Sequence, residues 1–391
     1  MLLRLIVILL TLLILPDIYI YMVYVKSWTK SVKWRILCWL PSLLLLVAMV
    51  TIMASDSMRA SNQPIIGMFL VVFLSICVAK AFFAIIDGIG HLFRQQTVRR
   101  VFRILAMTVA MFSFMMHYYG YFIGRSKYVV HKQTFYFTDL PKRFDGYRIV
   151  HFSDMHLGTF LMGHENEVVE IVDLINSQHA DAIIFSGDIV NHQADEMAPF
   201  GNALGALKAP DGVFSVLGNH DYCMYRKYAD KNERKKEVER IKKNQRSYGW
   251  NLLLNENVVI HRGADSLAVI GVENTGKPPF PSYGNLSKAM NGLSDSCFSV
   301  LITHDPSHWR SEVIRKTYIQ LTLSGHTHAG QFKVFGWSPV ASIYKEWSGA
   351  YCEGSQILNV SEGIGSVLFP FRFGAWPEIN VITLRKAEGK H

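Results

Sequence analysis

Five short polar clusters stand out in the last two thirds of the chain: Asp154-Met155-His156, Gly187-Asp188, Gly218-Asn219-His220-Asp221, Thr303-His304 and Gly325-His326-Thr327-His328. Their donor atoms are carboxylates, imidazoles and an amide, with no thiolate. Such a set suits hard-to-intermediate divalent ions, manganese first with iron or zinc as alternatives, rather than a thiolate zinc site. Seven candidate ligands (Asp154, His156, Asp188, Asn219, His304, His326 and His328) are too many for one ion. Two ions need a bridge, and a carboxylate is the best one because it has two oxygens and offsets charge; Asp188 is the natural candidate. Two ions about 3.5–4 Å apart hold a hydroxide between them and a phosphate oxygen beside it, so the chemistry expected is in-line attack of that hydroxide on a phosphoester. His220, beside Asn219, is placed to protonate or stabilise the leaving oxygen, and Asp221 to orient His220.

The elements that must position these residues are the runs that precede them. YRIVHFS (147–153) leads into Asp154, ADAIIFSGD ends at Asp188, VFSVLGNHD carries Asn219, FSVLIT (298–303) reaches His304 and IQLTL (319–323) precedes Gly325. Further apolar runs lie at 267–272, 356–361 and 379–384. Short continuous apolar runs read as buried strands. Residues 164–178, with a stripe of Val168, Val169, Ile171, Val172, Leu174 and Ile175, and residues 201–208 read as helices. The fold class is therefore α/β with buried sheets, and the polar clusters fall at the carboxyl ends of strands, where open α/β sheets bind ligands. Each cluster alone is commonplace; five in order, each after an apolar strand, are not.

With these blocks in place the sequence resembles the calcineurin-like metallophosphoesterases over about 145–391. DMH, GD, GNHD, TH and GHTH are all present as they stand above. The resemblance implies a two-sheet α/β/β/α sandwich. It implies one metal held by Asp154, His156, Asp188 and His328 and another by Asp188, Asn219, His304 and His326, with His220 on the phosphate. GHTHAGQ (325–331) and the closing FPFRFG…PE (369–378) look like the membrane-associated branch that includes the bacterial YkuE-like proteins and enzymes hydrolysing the lipid A precursor UDP-2,3-diacylglucosamine.

Charge separates the rest. Half the chain is hydrophobic and only 18% is charged, which excludes a disordered or nucleic-acid-tail protein. The formal net charge of +9 sits wholly in residues 1–125; residues 126–391 balance. Four apolar stretches in that first part, about 2–25 (broken at Pro16-Asp17), 36–54, 64–90 and 102–124, are long enough to span a bilayer, whereas a cleavable signal peptide explains only the first. Asp17, Lys80 and Asp87 fall within or near them and read as helix–helix pairs or interface positions. Lys26, Lys30, Lys33 and Arg35 follow the first span and Arg94, Arg99 and Arg100 the third, against Arg59 alone after the second. The positive-inside rule then puts both termini, and the large domain, on the extracytoplasmic side of a multi-pass membrane protein. That side conflicts with hydrolysis of a lipid A precursor, which is cytoplasmic.

The domain reading is a four-helix transmembrane module (1–125), a linker (126–144) and the phosphoesterase domain (145–391) with a basic helical insertion at 226–246. That insertion is either a solvated helix or a basic cap for anionic headgroups. Glu273 and Asn274 at a strand end, and Arg310 and Arg372, are the candidate substrate contacts. Five cysteines, three of them in the large domain, show no metal-type spacing and demand no disulfide. The function expected is two-metal hydrolysis of a phospholipid or lipid-linked phosphoester. The alternatives are a soluble or cell-wall phosphoester, a UDP-diacylglucosamine-type pyrophosphate, and a non-catalytic scaffold, which the complete ligand set opposes. No nucleic acid and no obligate protein partner is expected.

Overall fold

The computed structural model describes residues 2–54, 63–161, 163–276, 278, 280–367 and 369–387. The chain forms two compact units, Met1–Ile123 and Gly124–His391.

In the first unit, four helices are long and apolar enough to cross a membrane: Ile6–Trp28, Val32–Met53, Ile65–His91 and Gln96–Ser126. All four expected spans are present, so the chain is a membrane protein; Arg59 lies outside the described residues. The first helix, α1 (Leu2–Ile20), runs straight through Pro16 rather than breaking there, and its irregularity is a π turn over Tyr21–Val25. A proline inside a span costs little when neighbouring groups satisfy the freed carbonyl. The ionisable groups pair with one another across helices α2 (Leu40–Ala54), α3 (Gln63–His91) and α4 (Gln96–Phe122). Lys80 Nζ on α3 lies 2.5 Å from Asp17 Oδ1 on α1 and 2.8 Å from Ser42 Oγ on α2. Asp87 accepts a hydrogen bond from the Tyr19 hydroxyl at 2.7 Å and faces Arg103 Nε of α4 at 3.5 Å. Hydrocarbon leaves such charges no other partner.

The second unit is built on two mixed sheets. One runs β1 (Val129–Phe137), β12 (Glu378–Lys386), β2 (Arg148–Phe152), β3 (Ala182–Phe185), β4 (Val213–Ser215) and β5 (Asn251–Leu252). From β2 to β5 the pairing is parallel, with Val150 opposite Ile183; β12 is antiparallel to β2, with Asn380 opposite His151. The other runs β10 (Gly349–Glu353), β11 (Gln356–Val360), β9 (Leu321–Ser324), β8 (Phe298–Ile302), β7 (Asp265–Gly271) and β6 (Glu256–Arg262). Its central pairs are parallel, and antiparallel hairpins close both edges.

Alternation along the strands creates the layers. Ile149, Ile184 and Phe214 of the first sheet meet Val269, Val300 and Leu323 of the second in one apolar layer. Val150, Phe152, Ile183 and Phe185 point the other way, onto Val168, Ile171, Val172 and Ile175 of helix α5 (Glu165–Asn176). On the far side of the second sheet, Ile270, Leu301 and Leu358 pack on Trp309 and Val313. Strands with both faces covered need apolar side chains at every position, which is why they read as continuous runs.

Residues 126–144, expected as a linker, hold β1 instead, hydrogen-bonded along β12 from Val129↔Glu378 to Phe137↔Lys386. Its inward Phe135 and Phe137 alternate with exposed residues, a weaker signal than a continuous run. The helix expected at 201–208 is shorter, Gly201–Gly205, and that within the basic insertion is α6 (Lys231–Ser247). The five cysteines are free thiols.

Candidate metal centre

Each polar cluster follows directly on a strand. Asp154 and His156 come after β2, Asp188 after β3, Asn219 after β4, His304 after β8, and His326 and His328 after β9. The chain must turn sharply there for the side chains to converge. Asp154, His156, Asp188, His326 and His328 all hold left-handed backbone, with φ between 44° and 74°. Non-glycine residues at such angles cost of order 1–3 kcal/mol each and persist only where the surroundings impose them. Glycine is required where two strand ends touch: a Cβ on Gly218 would stand 2.2 Å from Asp188 Oδ1, and one on Gly325 2.3 Å from Asp154 Oδ2.

The result is two adjoining groups of ligand atoms, Asp154/His156/His328 and Asp188/His304/His326, each within 4.8 Å. In the first, His328 Nε2 lies 3.1 Å from His156 Nε2 and 3.2 Å from Asp154 Oδ1. In the second, His304 Nε2 lies 3.0 Å from Asp188 Oδ2 and 3.2 Å from Asn219 Oδ1. Asp188 Oδ2 is also 3.7 Å from His156 Nε2, so this carboxylate faces both groups. All seven expected ligands are brought together and buried or nearly so.

Outer contacts fix the rings. His304 Nδ1 bonds the Ser186 carbonyl at 2.8 Å, and His326 Nε2 meets the Tyr344 hydroxyl at 2.7 Å, which leaves Nδ1 of His326 as its free ligand atom. The Asn219 amide donates to the Tyr225 hydroxyl at 2.8 Å, which leaves its carbonyl oxygen for the cluster. The backbone N–H of His326 donates to Asp154 at 3.0 Å and that of His220 to Asp188 Oδ1 at 2.8 Å.

The electrostatics match a cation site. Burial opposes charge on Asp154 and Asp188, yet the surrounding imidazoles hold both carboxyls below their usual range. Burial also favours neutral His304, but Asp188 and Asp154 overcome it and lift the imidazole to about 10. Burial, with neighbouring imidazoles against them, keeps His156 and His326 neutral, the latter pushed down to about 4. Buried carboxylates packed on imidazoles, with two Nε2 atoms at 3.1 Å, form a donor set that divalent ions satisfy. His156 Nδ1 is buried without a hydrogen-bond partner.

Two role expectations change. Asp221 does not orient His220. Its Oδ1 accepts the N–H groups of Ile189 and Val190 at 2.9 and 3.3 Å, and its Oδ2 those of Asp188 and Gly218 at 3.0 and 2.9 Å. It staples the β3 turn to the β4 turn. His220 is oriented by the Asn191 carbonyl, 2.7 Å from Nδ1, and by the ring of Tyr225, 4.3 Å away centroid to centroid.

The structure places none of the four candidate substrate contacts among the metal ligands as a free polar group. Arg372 is fully buried; it donates to the carbonyls of Gly365 and Ala375 and its Nη2 lies 3.1 Å from His328 Nδ1. Its guanidinium is spent on holding the 363–376 loop behind His328. Glu273 accepts from the Tyr222 hydroxyl and the Asn255 amide, and Asn274 donates to the Pro281 carbonyl; both shape the 273–284 loop. Arg310 pairs with Glu346 at 2.6 Å. Glu273 and Arg310 found partners from distant segments, and Arg372 and Asn274 from the folds of their own loops, neither of which spacing along the chain reveals. On the basic helix, Arg240 is paired with Asp195 and Glu237, and Lys242 with Glu239.

Sequence reading missed Asn191, Tyr225 and Tyr344. Asn191 sits just beyond Gly187-Asp188 and was legible as part of that turn. Tyr344 is far from the GHTH block and carries no local signal.

Comparison with known proteins gives the following. The calcineurin-like phosphoesterase model matches residues 147–330, and the model for a probable calcineurin-like phosphoesterase transmembrane domain matches residues 3–125. The chain is 32% identical over 261 residues to the metallophosphoesterase YkuE of Bacillus subtilis, covering 63% of this chain and 82% of that protein. It is 28% identical over 256 residues to a transmembrane protein with metallophosphoesterase domain of Danio rerio, covering 63% of this chain and 55% of that one. It is 26% identical over 241 residues to the metallophosphoesterase YkoQ of Bacillus subtilis, covering 59% and 81%.

Proposed function

Because the chain belongs to the calcineurin-like metallophosphoesterases and carries its own transmembrane domain, we propose that this metal-dependent phosphoesterase acts on a phospholipid or lipid-linked phosphate at the membrane surface. The observation that carries the chemistry is the pair of adjoining ligand groups with Asp188 facing both. A four-span module exceeds what tethering needs and suits a substrate drawn from the bilayer.

Asp154, His156, Asp188 and His328 would hold one divalent ion, and Asp188, Asn219, His304 and His326 the other, with manganese the best match to this donor set and iron or zinc the alternatives. Such ions, when bound, activate water at neutral pH and offset charge on the phosphate oxygens. The chain's own residues do the rest. His220 donates Nδ1–H to the Asn191 carbonyl, which leaves Nε2 for the phosphate, and in its imidazolium form Nε2–H would donate to the leaving oxygen. Burial disfavours the imidazolium and the Asp188 carboxylate favours it. Asp221 fixes the backbone on which Asp188 and Asn219 are mounted. The positive-inside rule, applied to the basic residues at 26–35 and 94–100, supports an extracytoplasmic catalytic unit.

The test is turnover of a lipid extract by the full-length protein in detergent with Mn²⁺, read by mass. Products with a newly freed lipid or phosphate headgroup, absent with Asp188→Asn, support the reading. Hydrolysis confined to soluble phosphoesters overturns the lipid assignment and leaves the phosphoesterase.

A further inference from the structure

Residues 332–344 leave the GHTHAGQ turn and come back to it. Their base is tied to the turn that carries His326 and His328 and to the loop behind it: Ser338 Oγ donates to the Ala329 carbonyl at 2.7 Å, the Tyr344 hydroxyl meets His326 Nε2 at 2.7 Å, and Phe332 bridges to Phe373. Their tip is a tight hairpin. Val334 and Trp337 exchange both backbone hydrogen bonds, at 2.9 and 3.0 Å, across Phe335 and Gly336. Both central residues have positive φ, 50° and 76°, the mirror-image turn that favours Asn-Gly.

The first central residue here is instead an aromatic. Phe335 is completely exposed, Ile343 is 77% exposed and Trp337 57%. A bulky side chain in left-handed backbone is strained, and an aromatic ring held wholly in water forfeits its burial. Both penalties fall on one residue, at the outermost point of a segment whose roots are bonded to a metal ligand. The pattern makes sense if the tip is buried in working conditions.

We propose that Phe335, Trp337 and Ile343 enter the headgroup–acyl boundary of the bilayer that the chain's own spans occupy, and so present the rim of the metal centre to lipid phosphate. The bilayer is the occupant the chain itself supplies, through four apolar helices. Trp and Phe are interfacial anchors, and the exposed Lys345 beside them suits anionic headgroups. The inference rests on the reading of the site as a lipid phosphoesterase, and adds how that site meets its substrate.

The experiment places a nitroxide at Phe335→Cys in full-length protein with Cys352→Ser, reconstituted in nanodiscs of phosphatidylcholine and phosphatidylglycerol. Collisions with oxygen and with a water-soluble nickel chelate report depth, and the Cys352→Ser parent supplies the background. The control is Asp295→Cys, an exposed site ahead of β8 and so at the sheet edge opposite the metal ligands. The expected result is oxygen collisions prevailing at 335 and nickel collisions at 295. Nickel collisions prevailing at 335 overturn the proposal, and so does shielding from both reagents, which signals a protein contact. Hydrolysis of bis(p-nitrophenyl) phosphate by the same samples reads the phosphoesterase separately. A lipid-buried tip on an inactive protein would refute the site, and a water-exposed tip on an active one would refute the anchor.

Discussion

Asp221→Asn separates a residue that holds the metal-site backbone from one that serves His220. The Asp221 carboxylate accepts four backbone N–H groups, two on each oxygen. Asparagine keeps the shape but replaces one oxygen with an N–H₂ group, so two of the four N–H groups lose their acceptor whichever way the amide turns. Hydrogen bonds to a buried charged group contribute about 1.5–3 kcal/mol each, so the local cost is about 3–6 kcal/mol. At about 1.4 kcal/mol per factor of ten, amide exchange at Asp188, Ile189, Val190 and Gly218 should accelerate by about a hundredfold or more. The assay is hydrogen exchange by mass spectrometry on metal-free protein in detergent at pH 8.5. That pH lies above the value of about 7 to which burial and the Asp188 carboxylate lift Asp221. Unchanged protection of these four amides, together with a turnover loss that does not add to that of His220→Ala, would refute the staple and restore a His220-orienting role.

Other outcomes follow from the same geometry. His220→Gln should lower turnover by about 10²–10⁴ for alkyl leaving groups and much less for p-nitrophenol, which needs no proton; equal losses for both would remove His220 from the leaving-group side. Gly218→Ala places a Cβ 2.6 Å from the Asp188 backbone nitrogen as well as on its carboxylate; bound Mn²⁺, measured by elemental analysis, should fall from two equivalents to one or none. His151 is wholly buried against Ser186, and burial pushes it down to about 3. The unfolded chain takes up its proton near pH 6.5 and the folded one does not, so stability is complete above pH 6.5 and declines as pH falls, by about 2.7 kcal/mol at pH 4.5 from this group. His151→Gln should flatten that decline by one proton's worth, seen in denaturant midpoints between those pH values; an unchanged slope would show that His151 is protonated in the fold.

Eight strands of the catalytic unit were legible as apolar runs: β2, β3, β4, β7, β8, β9, β11 and β12. The four that were not, β1, β5, β6 and β10, are the outer strands of the two sheets. Interior strands are covered on both faces and read as unbroken hydrophobic stretches. Edge strands are half solvated or very short, and their pattern of β1 and β10 burial shows it. The four spans were legible for a related reason, since hydrocarbon demands apolar residues regardless of partner. The convergence of the seven candidate ligands was legible because each is fixed by its own strand end, so order along the chain carried their placement.

Roles that depend on a second segment were not legible. Asp221 lies beside His220 in the chain, yet its carboxylate turns to the β3 loop, where three N–H groups, with that of Gly218, outweigh one imidazole. Arg372 looked available for phosphate until the loop folded around it, and Tyr344 showed no sign of reaching His326. Residue type and local order therefore determined which atoms can bind metal and which segments enter the membrane. Tertiary structure alone decided which of their neighbours orient them, because a hydrogen-bond partner is chosen by distance in space.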